Sequence, residues 1–297
     1  MRSTIPISIV ATALMLCAAA SFAAPRVEQL APNLYAYVSD NDRSANSTFL
    51  VGQHGILVVD TGLNTVEGKK LLAEIRTLSP LPVQFVVNTH YHTDHLGGNG
   101  VVGPDAIVIT SPFTRERTVQ AMAKPPASAG AAAEPLPVFR AATETLTREL
   151  TVYVDDNPVE IIAPGPGHTM GDVYVLFPKQ RTVSAGDLFM NNSCPAMDQG
   201  SAQNWVHTLD TIMALPADHF VPGHFDVGTR ATLTRFRDYL SDLTTQVEAL
   251  VRSGATAAQV RERIDMKKHR DFRQYPQFRA SFADNAETVF HQLQPAH

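Results

Sequence analysis

The chain has 297 residues, of which 44% are hydrophobic and 18% are charged, and its formal net charge is −5. This length and composition predict a globular protein with a sizeable core and are not typical of a disordered chain. The acidic balance leaves no basic surplus to neutralise phosphates, so we expect no nucleic-acid partner.

The N-terminus is typical of a secretory signal peptide. Arg2 supplies a positive charge, residues 5–20 form an apolar run, and small residues precede Pro25. We therefore predict a signal peptide over residues 1–23 and a periplasmic or secreted mature protein, residues 24–297, with no membrane segment. The alternative is that the apolar run stays in place as a membrane anchor.

Removal of the signal peptide leaves Cys194 as the single cysteine, which excludes an intramolecular disulfide. The segment NNSCPAMD contains no histidine that could pair with this thiol. We interpret Cys194 as a plain, partly buried thiol and not as a nucleophile.

The first half of the mature chain shows strand patterns that are followed by helix patterns. Strands are predicted at residues 34–38, 47–52, 55–62, 83–88 and 106–110, and helices at 66–78 and 111–123. The segment 124–137 is rich in proline and alanine without a period, and we interpret it as an exposed loop.

The second half repeats this plan. Strands are predicted at residues 151–154, 159–163, 172–177, 181–189 and 219–224, and helices at 205–215, from about 229 to 264, and at 283–293. In both halves, side chains that can bind metal follow strands. Loops at the strand ends of α/β folds converge on one edge, which is where such folds build their sites.

Histidine and aspartate are concentrated in the stretch NTHYHTDHLGGN, residues 88–99, directly after a predicted strand. Alternate side chains of an extended segment point the same way, so His90 and His92 can reach one ion together. Asp94 and His95 lie where the backbone turns into a helix start, so they can reach a second ion nearby.

Three further candidate ligands follow later strands: His168 in APGPGHTMGD, Asp187 in SAGDLF and His224 in VPGH. Imidazole suits zinc, and a carboxylate that bridges two zinc ions can hold them roughly 3.5–4 Å apart. We also expect Gly97 and Gly98, after the first group, to permit a tight turn without a Cβ clash.

The series H-x-H-x-D-H, G-H-T, G-D and G-H resembles the metallo-β-lactamase superfamily of metal-dependent hydrolases, from Val27 to Phe225. The resemblance implies an α/β fold, a four-layer αββα sandwich of two similar halves with the site at the edge where the sheets meet. It implies one metal held by His90, His92 and His168. A second metal would be held by Asp94, His95 and His224, with Asp187 as a bridging carboxylate and Asp60 as a structural brace of the metal loop.

By this resemblance, we expect a dinuclear zinc hydrolase, with iron or manganese as alternative metals. A hydroxide between the ions would attack a C–N, C–O or thioester bond next to a carbonyl of a small-molecule substrate. Asp94 would be the catalytic residue that orients this hydroxide.

Two positions depart from many β-lactamases of the superfamily. Asp187 stands where those enzymes have a cysteine, and Met190 stands where they have a lysine that holds the carboxylate of the drug. Asp187 is more similar to the hydroxyacylglutathione hydrolases and other generalist members. Two alternatives therefore stay open: an oxygenase of the same fold that uses a single iron to oxidise persulfides, and a non-catalytic metal-binding accessory protein.

We expect structural roles for the single tryptophan and for the remaining histidines. Trp205 is expected to pack a helix onto the sheet. The remaining histidines are expected at the surface or in turns, and they are His54, His207, His219, His269, His291 and His297.

Overall fold

The computed structural model describes residues 25–124, 135–197 and 199–294. The predicted signal peptide and most of the segment 124–137 lie outside these residues, so both interpretations stay predictions. Within the described ranges, no helix combines the length and the apolar character that crossing a membrane requires.

The first sheet has seven strands in the order β1 to β7. These strands are β1 (Arg26–Ala31), β2 (Leu34–Val38), β3 (Ser47–Val51), β4 (Ile56–Val59), β5 (Val83–Val87), β6 (Ile107–Thr110) and β7 (Glu144–Thr145). β1 to β4 pair antiparallel, whereas β4 to β7 pair parallel. The carboxyl ends of β4 and β5 therefore meet at the same edge of the sheet.

The second sheet has five strands in the order β12-β11-β10-β9-β8. These strands are β8 (Glu149–Val154), β9 (Asn157–Ile162), β10 (Tyr174–Phe177), β11 (Thr182–Met190) and β12 (His219–His224). β11 and β12 are parallel, and their register shifts on both sides of Gly186. Asp187 thus lies inside a strand at an irregularity, and not at a strand end as predicted.

Eight α-helices connect and cover the two sheets in the described ranges. They are α1 (Thr65–Leu78), α2 (Thr93–Leu96), α3 (Asn99–Val102), α4 (Pro112–Met122), α5 (Ala202–Ala214), α6 (Arg230–Arg252), α7 (Ala257–Arg263) and α8 (Phe282–Gln292). The start of α1 is fixed by Asn64, whose side chain accepts hydrogen bonds from the backbone N–H groups of Val66 and Glu67 at 2.9 and 3.1 Å.

Three apolar clusters separate four layers. The middle cluster joins the two sheets, for example through Leu57 of the first sheet and Val175 of the second. One outer cluster packs α1 on the first sheet through Leu71, and the other packs α5 and α6 on the second sheet through Trp205 and Phe236. The order helix, sheet, sheet, helix confirms the predicted αββα sandwich.

One histidine that was expected at the surface is buried. His269 is only 5% exposed, its Nε2 lies 2.8 Å from Asp242 Oδ2, and its ring packs edge-on against Tyr239 and Phe272. Its polar sequence neighbourhood, KKHRD, gives no sign of this burial. His269 does lie in a turn, the 3₁₀ turn Lys267–His269, but packing of this turn against α6 carries the ring inward, so only a surface position was wrong.

Candidate metal centre

Three histidine nitrogens converge just beyond the end of β5. His90 Nε2 and His168 Nε2 lie 3.0 and 3.1 Å from His92 Nδ1. Burial lowers the pKa of His90 well below its usual value and lowers that of His168 to about 4, so both rings stay neutral. Neutral imidazoles bind metal through their ring nitrogens, and nitrogens that face one another at this distance are arranged as ligands around a cation would be.

The route by which His90 and His92 meet differs from the prediction. β5 ends at Val87, and the residues that follow it form a bend, so the two histidines do not alternate along an extended segment. The two rings approach each other through different nitrogens, because His90 turns its Nε2 and His92 turns its Nδ1 towards the same point.

A second group forms beside the first, where α2 begins. Asp94 Oδ2 lies 3.1 Å from His224 Nε2 and 3.6 Å from His95 Nε2. Burial alone would raise the pKa of Asp94, but the charge of His95 and the hydrogen bond with His224 lower this pKa to about 2. Asp94 is therefore an ionised carboxylate, the form that binds metal.

Asp187 lies between the two groups and turns one oxygen to each. Its Oδ1 is 3.2 Å from His95 Nε2 and 3.7 Å from His224 Nε2. Its Oδ2 is 3.4 Å from His168 Nε2 and 3.9 Å from His90 Nε2. Burial would raise the pKa of Asp187, but the charges of His95 and His224 hold it well below its usual value.

The seven side chains predicted as ligands are thus brought together in two adjacent groups of donor atoms. Two buried atoms in them, His95 Nε2 and Asp187 Oδ1, face each other without forming a hydrogen bond. Buried polar atoms in native proteins nearly always have partners. Five imidazoles and two carboxylates, with such atoms aimed inward, fit divalent cations such as zinc.

Asp60, at the end of β4, braces the metal loop as expected. It has a left-handed backbone conformation, with φ at +58°, which Asp tolerates better than most residues. Its carboxylate accepts hydrogen bonds from the backbone N–H and the hydroxyl of Thr89 at 2.8 and 2.7 Å, and from His95 Nδ1 at 2.8 Å. With Nδ1 donating to Asp60, Nε2 is the nitrogen of His95 that faces the centre.

Asp172 performs the same task for His168, and the sequence reasoning missed it. Its carboxyl group accepts hydrogen bonds from the N–H groups of Gly167 and Thr169 and from the Thr169 hydroxyl, at 2.6 to 3.1 Å. Burial raises the pKa of Asp172 to about 7, although the hydrogen bonds from Thr169 lower it. The residue was assigned to a strand at 172–177, but β10 starts at Tyr174, and Asp172 belongs to the loop.

Trp205 packs α5 onto the second sheet, as expected, and also supports His168. Its indole is fully buried, and Nε1 donates a hydrogen bond to Leu188 O at 2.9 Å. The ring centroids of Trp205 and His168 are 5.6 Å apart. The side chain therefore fixes the ring of His168 from behind.

Gly97 and Gly98 serve close packing and not an unusual turn. Their φ angles are −66° and −94°, which residues with side chains adopt freely. A Cβ on Gly97 or Gly98 would instead collide with the backbone oxygen of Leu63 or of Thr61, respectively. Residues 97 and 98 form the turn between α2 and α3, and the prediction that glycine avoids a Cβ clash in this turn is confirmed, because the metal loop crosses the β4–α1 connection closely.

A cavity of about 310 Å³ opens onto the centre. Five of the seven candidate ligands line it, and they are His92, Asp94, His168, Asp187 and His224. Much of the remaining wall is apolar and includes Leu63, Met190, Phe225, Tyr275 and Phe278. The centre is therefore accessible to a small molecule.

Cys194 also lines this cavity, but its thiol is unsuited to nucleophilic chemistry. The residue is 1% exposed, so it is more deeply buried than expected. Burial raises the pKa of the Cys194 thiol to about 12, which leaves it protonated at neutral pH.

The chain is similar to known proteins of one superfamily over the segment that carries the candidate ligands. The model of the metallo-beta-lactamase superfamily matches residues 40–224, a segment that contains all seven candidate ligands. The metallo-beta-lactamase type 2 of Bacteroides fragilis is 24% identical over 213 residues, 68% of this chain and 80% of that protein. A solved metallo-beta-lactamase from Pontibacter korlensis has a TM-score of 0.60 and 21% identity, covering 73% of this chain and 99% of that one.

Other relatives are longer. The chain is 28% identical over 177 residues to the 2,4-dinitroanisole O-demethylase subunit alpha of Nocardioides sp., covering 59% of this chain and 50% of that protein. It is 23% identical over 264 residues to a linear primary-alkylsulfatase of Pseudomonas sp., covering 72% of this chain and 49% of that protein. A solved stereoselective inverting sec-alkylsulfatase from Pseudomonas sp. has a TM-score of 0.72 and 16% identity, covering 92% of this chain and 51% of that one. The chain thus spans about half the length of these three proteins.

The substitution Asp172→Asn should weaken the three-histidine group. An amide offers one accepting oxygen where the carboxyl group uses two, so a backbone N–H of the His168 loop loses its partner. We expect a loss of about 1–3 kcal/mol in the free energy of unfolding and a drop of about 10–100-fold in metal affinity. Urea denaturation and metal titration measure both, with the exposed Asp105→Asn as the matched control. Unchanged metal affinity would refute this role of Asp172.

The substitution Asp60→Asn should weaken the second group instead. Asparagine tolerates the left-handed backbone at position 60, so the fold should persist. An amide N–H facing His95 Nδ1 would favour the tautomer with its proton on Nε2, the nitrogen that would otherwise bind the cation. We expect the affinity for the more weakly bound cation to fall about 10–100-fold, measured by calorimetric titration. Two tight binding steps identical to those of the parent protein would contradict the argument.

Proposed function

The chain belongs to the metallo-β-lactamase superfamily, and from this premise we propose that it is a hydrolase that holds two zinc ions. Its reaction is the cleavage of a C–N, C–O or thioester bond next to a carbonyl in a small molecule. The observation that carries the proposal is a single carboxylate, Asp187, placed between two separate groups of donor atoms beside an open cavity.

One cation would be held by His90, His92 and His168, and the other by Asp94, His95 and His224, with Asp187 touching both. When bound there, the ions supply Lewis acidity for the substrate oxygen and lower the pKa of water, so that it attacks at neutral pH. The Nδ1 partner of His95 and the packing behind His168 hold both rings in place before substrate arrives.

Asp94 is the ligand best placed to act on the reacting groups. Its side chain is 24% exposed and faces the cavity, whereas that of Asp187 is 9% exposed. Its backbone is fixed as well, because Asp94 O accepts a hydrogen bond from Ala45 N at 3.1 Å. A carboxylate that faces the cavity can accept a hydrogen bond from the attacking water, so Asp94 orients that water.

The exposure of the candidate ligands to the cavity favours a catalytic metal site over a site that only stores metal. A purely structural metal site closes all coordination positions with protein ligands, whereas a catalytic site leaves one open. Here five candidate ligands border the cavity, so a substrate can approach either group. This supports an enzyme and disfavours a non-catalytic accessory protein.

Hydrolysis of alkyl sulfate esters is a second candidate. The sec-alkylsulfatase structure covers 92% of this chain, against 73% for the β-lactamase, and so includes the region after β12. That region supplies Tyr275 and Phe278 to the cavity. An apolar wall suits an alkyl group, so sulfate esters belong in the substrate screen.

Metal analysis tests the proposed centre. Protein loaded with zinc and then desalted should contain about two zinc ions per chain. Chelation should lower the melting temperature, because a ligand at a hundredfold excess over its dissociation constant adds about 2.7 kcal/mol of stability. One iron per chain in protein purified without added metal would instead support the persulfide oxygenase.

The substitution Asp94→Ala should abolish hydrolysis without unfolding the chain. We expect the rate to fall on the order of a hundredfold or more, because the acceptor that orients water and one zinc ligand are both lost. The screen should contain nitrocefin, a carbapenem, a lactone, a thioester, a phosphodiester and an alkyl sulfate. Asp105→Ala is the control, and circular dichroism checks the fold. Full activity of Asp94→Ala would refute the mechanism.

A further inference from the structure

A short hairpin between α7 and α8 forms one wall of the cavity. Tyr275 N donates to Ala280 O at 2.8 Å, and Ala280 N donates to Tyr275 O at 3.1 Å. A 3₁₀ turn, Pro276–Phe278, lies between them. The match to the superfamily model ends at His224, so this wall lies outside the matched segment.

The hairpin is anchored to the strand that carries Asp187. Arg273 N donates to Asn192 O at 3.0 Å, and Cys194 N donates to Arg273 O at 2.9 Å. Asn192 and Cys194 follow directly after β11. The wall is therefore fixed relative to the metal centre by backbone hydrogen bonds at its root.

Aromatic rings lead from the centre to the hairpin. Phe225 follows the candidate ligand His224, with ring centroids 6.2 Å apart, and it stacks on Tyr275 at 5.8 Å with an interplanar angle of 10°. Phe225 has a φ of +71°, which is unfavourable for a bulky residue and needs support from its surroundings. The support comes from Asn46, whose Nδ2 donates to Phe225 O at 2.7 Å.

Phe278 extends this surface to the cavity mouth. It is 51% exposed, although it lines the cavity. The guanidinium of Arg273 lies over the ring of Phe225, 5.0 Å from its centroid. Met190, which is 8% exposed, adds a further apolar side chain to the cavity. A charged residue at this position would instead favour a polar group of the substrate.

We propose that Phe225, Tyr275 and Phe278 form a specificity wall that binds a medium-length alkyl or acyl chain of the substrate. The proposal rests on the proposed hydrolase function for the bond that is cleaved, but the wall itself is a binding surface. A chain against Phe278 removes apolar surface from water on both partners, which is the dominant favourable term for such a group. The substrate class is therefore a carboxylic, thio- or sulfate ester with an apolar tail.

Binding of simple carboxylates measures the wall without requiring turnover. Calorimetric titration of the zinc-loaded protein with acetate, butyrate, hexanoate and octanoate gives affinity against chain length. Each added methylene should increase affinity about two- to fourfold, since a buried methylene is worth about 0.8 kcal/mol. An affinity that does not change from acetate to octanoate would overturn the proposal.

Variants locate the effect at the hairpin. Phe278→Ala should reduce the octanoate affinity about fivefold or more and flatten the chain-length slope, and Phe278→Leu should restore part of both. Tyr153→Ala removes an aromatic side chain that is 64% exposed on β8, and it should leave the slope unchanged. A slope that Phe278→Ala does not alter, in a variant shown to be folded, would also overturn the proposal.

Hydrolysis of the p-nitrophenyl esters of the same acids separates this inference from the proposed function. A chain-length slope in binding with no hydrolysis of these esters or of any substrate in the screen would reject the hydrolase and support the wall. Hydrolysis with the same KM for acetate and octanoate esters would support the hydrolase and reject the wall.

Discussion

The shared position of Asp187 is the constraint on which the centre depends. Five imidazoles packed together away from water would repel one another if charged and would leave lone pairs unpaired if neutral. A carboxylate whose two oxygens face different groups would provide a common negative charge for a cation in each group. Its placement requires the irregularity of β11 at Gly186 and the absence of a side chain at Gly223, where a Cβ would collide with Asp187 Oδ1.

Around this carboxylate, the fold supplies rigid supports from both halves. The first sheet contributes Asp60, which fixes His95, and the second contributes Asp172 and Trp205, which fix the loop and the ring of His168. Asn46 joins the halves, because its side chain donates to Pro222 O and to Phe225 O. Such outer contacts hold ligands in a productive geometry before metal or substrate binds, so the site is set by two sheets and not by one flexible loop.

The sequence predicted the layers and the clustered residues through its resemblance to the metallo-β-lactamase superfamily, which local motifs such as H-x-H-x-D-H carry. It did not predict β1, whose residues are partly exposed and lack alternation, or the burial of His269. It also missed Asp172, since a carboxyl group that accepts hydrogen bonds from backbone N–H groups resembles any loop aspartate in sequence. The sequence did not predict the hairpin wall for a similar reason: Tyr275 and Phe278 join Phe225 in the cavity wall only through tertiary packing, some fifty residues along the chain.

Fold membership alone does not fix the reaction, so the account depends on the centre itself. The most direct measurement is anomalous diffraction at the zinc edge from crystals of the zinc-loaded protein. The account predicts two peaks roughly 3.5–4 Å apart, one beside His90, His92 and His168 and the other beside Asp94, His95 and His224, with Asp187 between them. A single peak, or peaks away from these seven side chains, would contradict it.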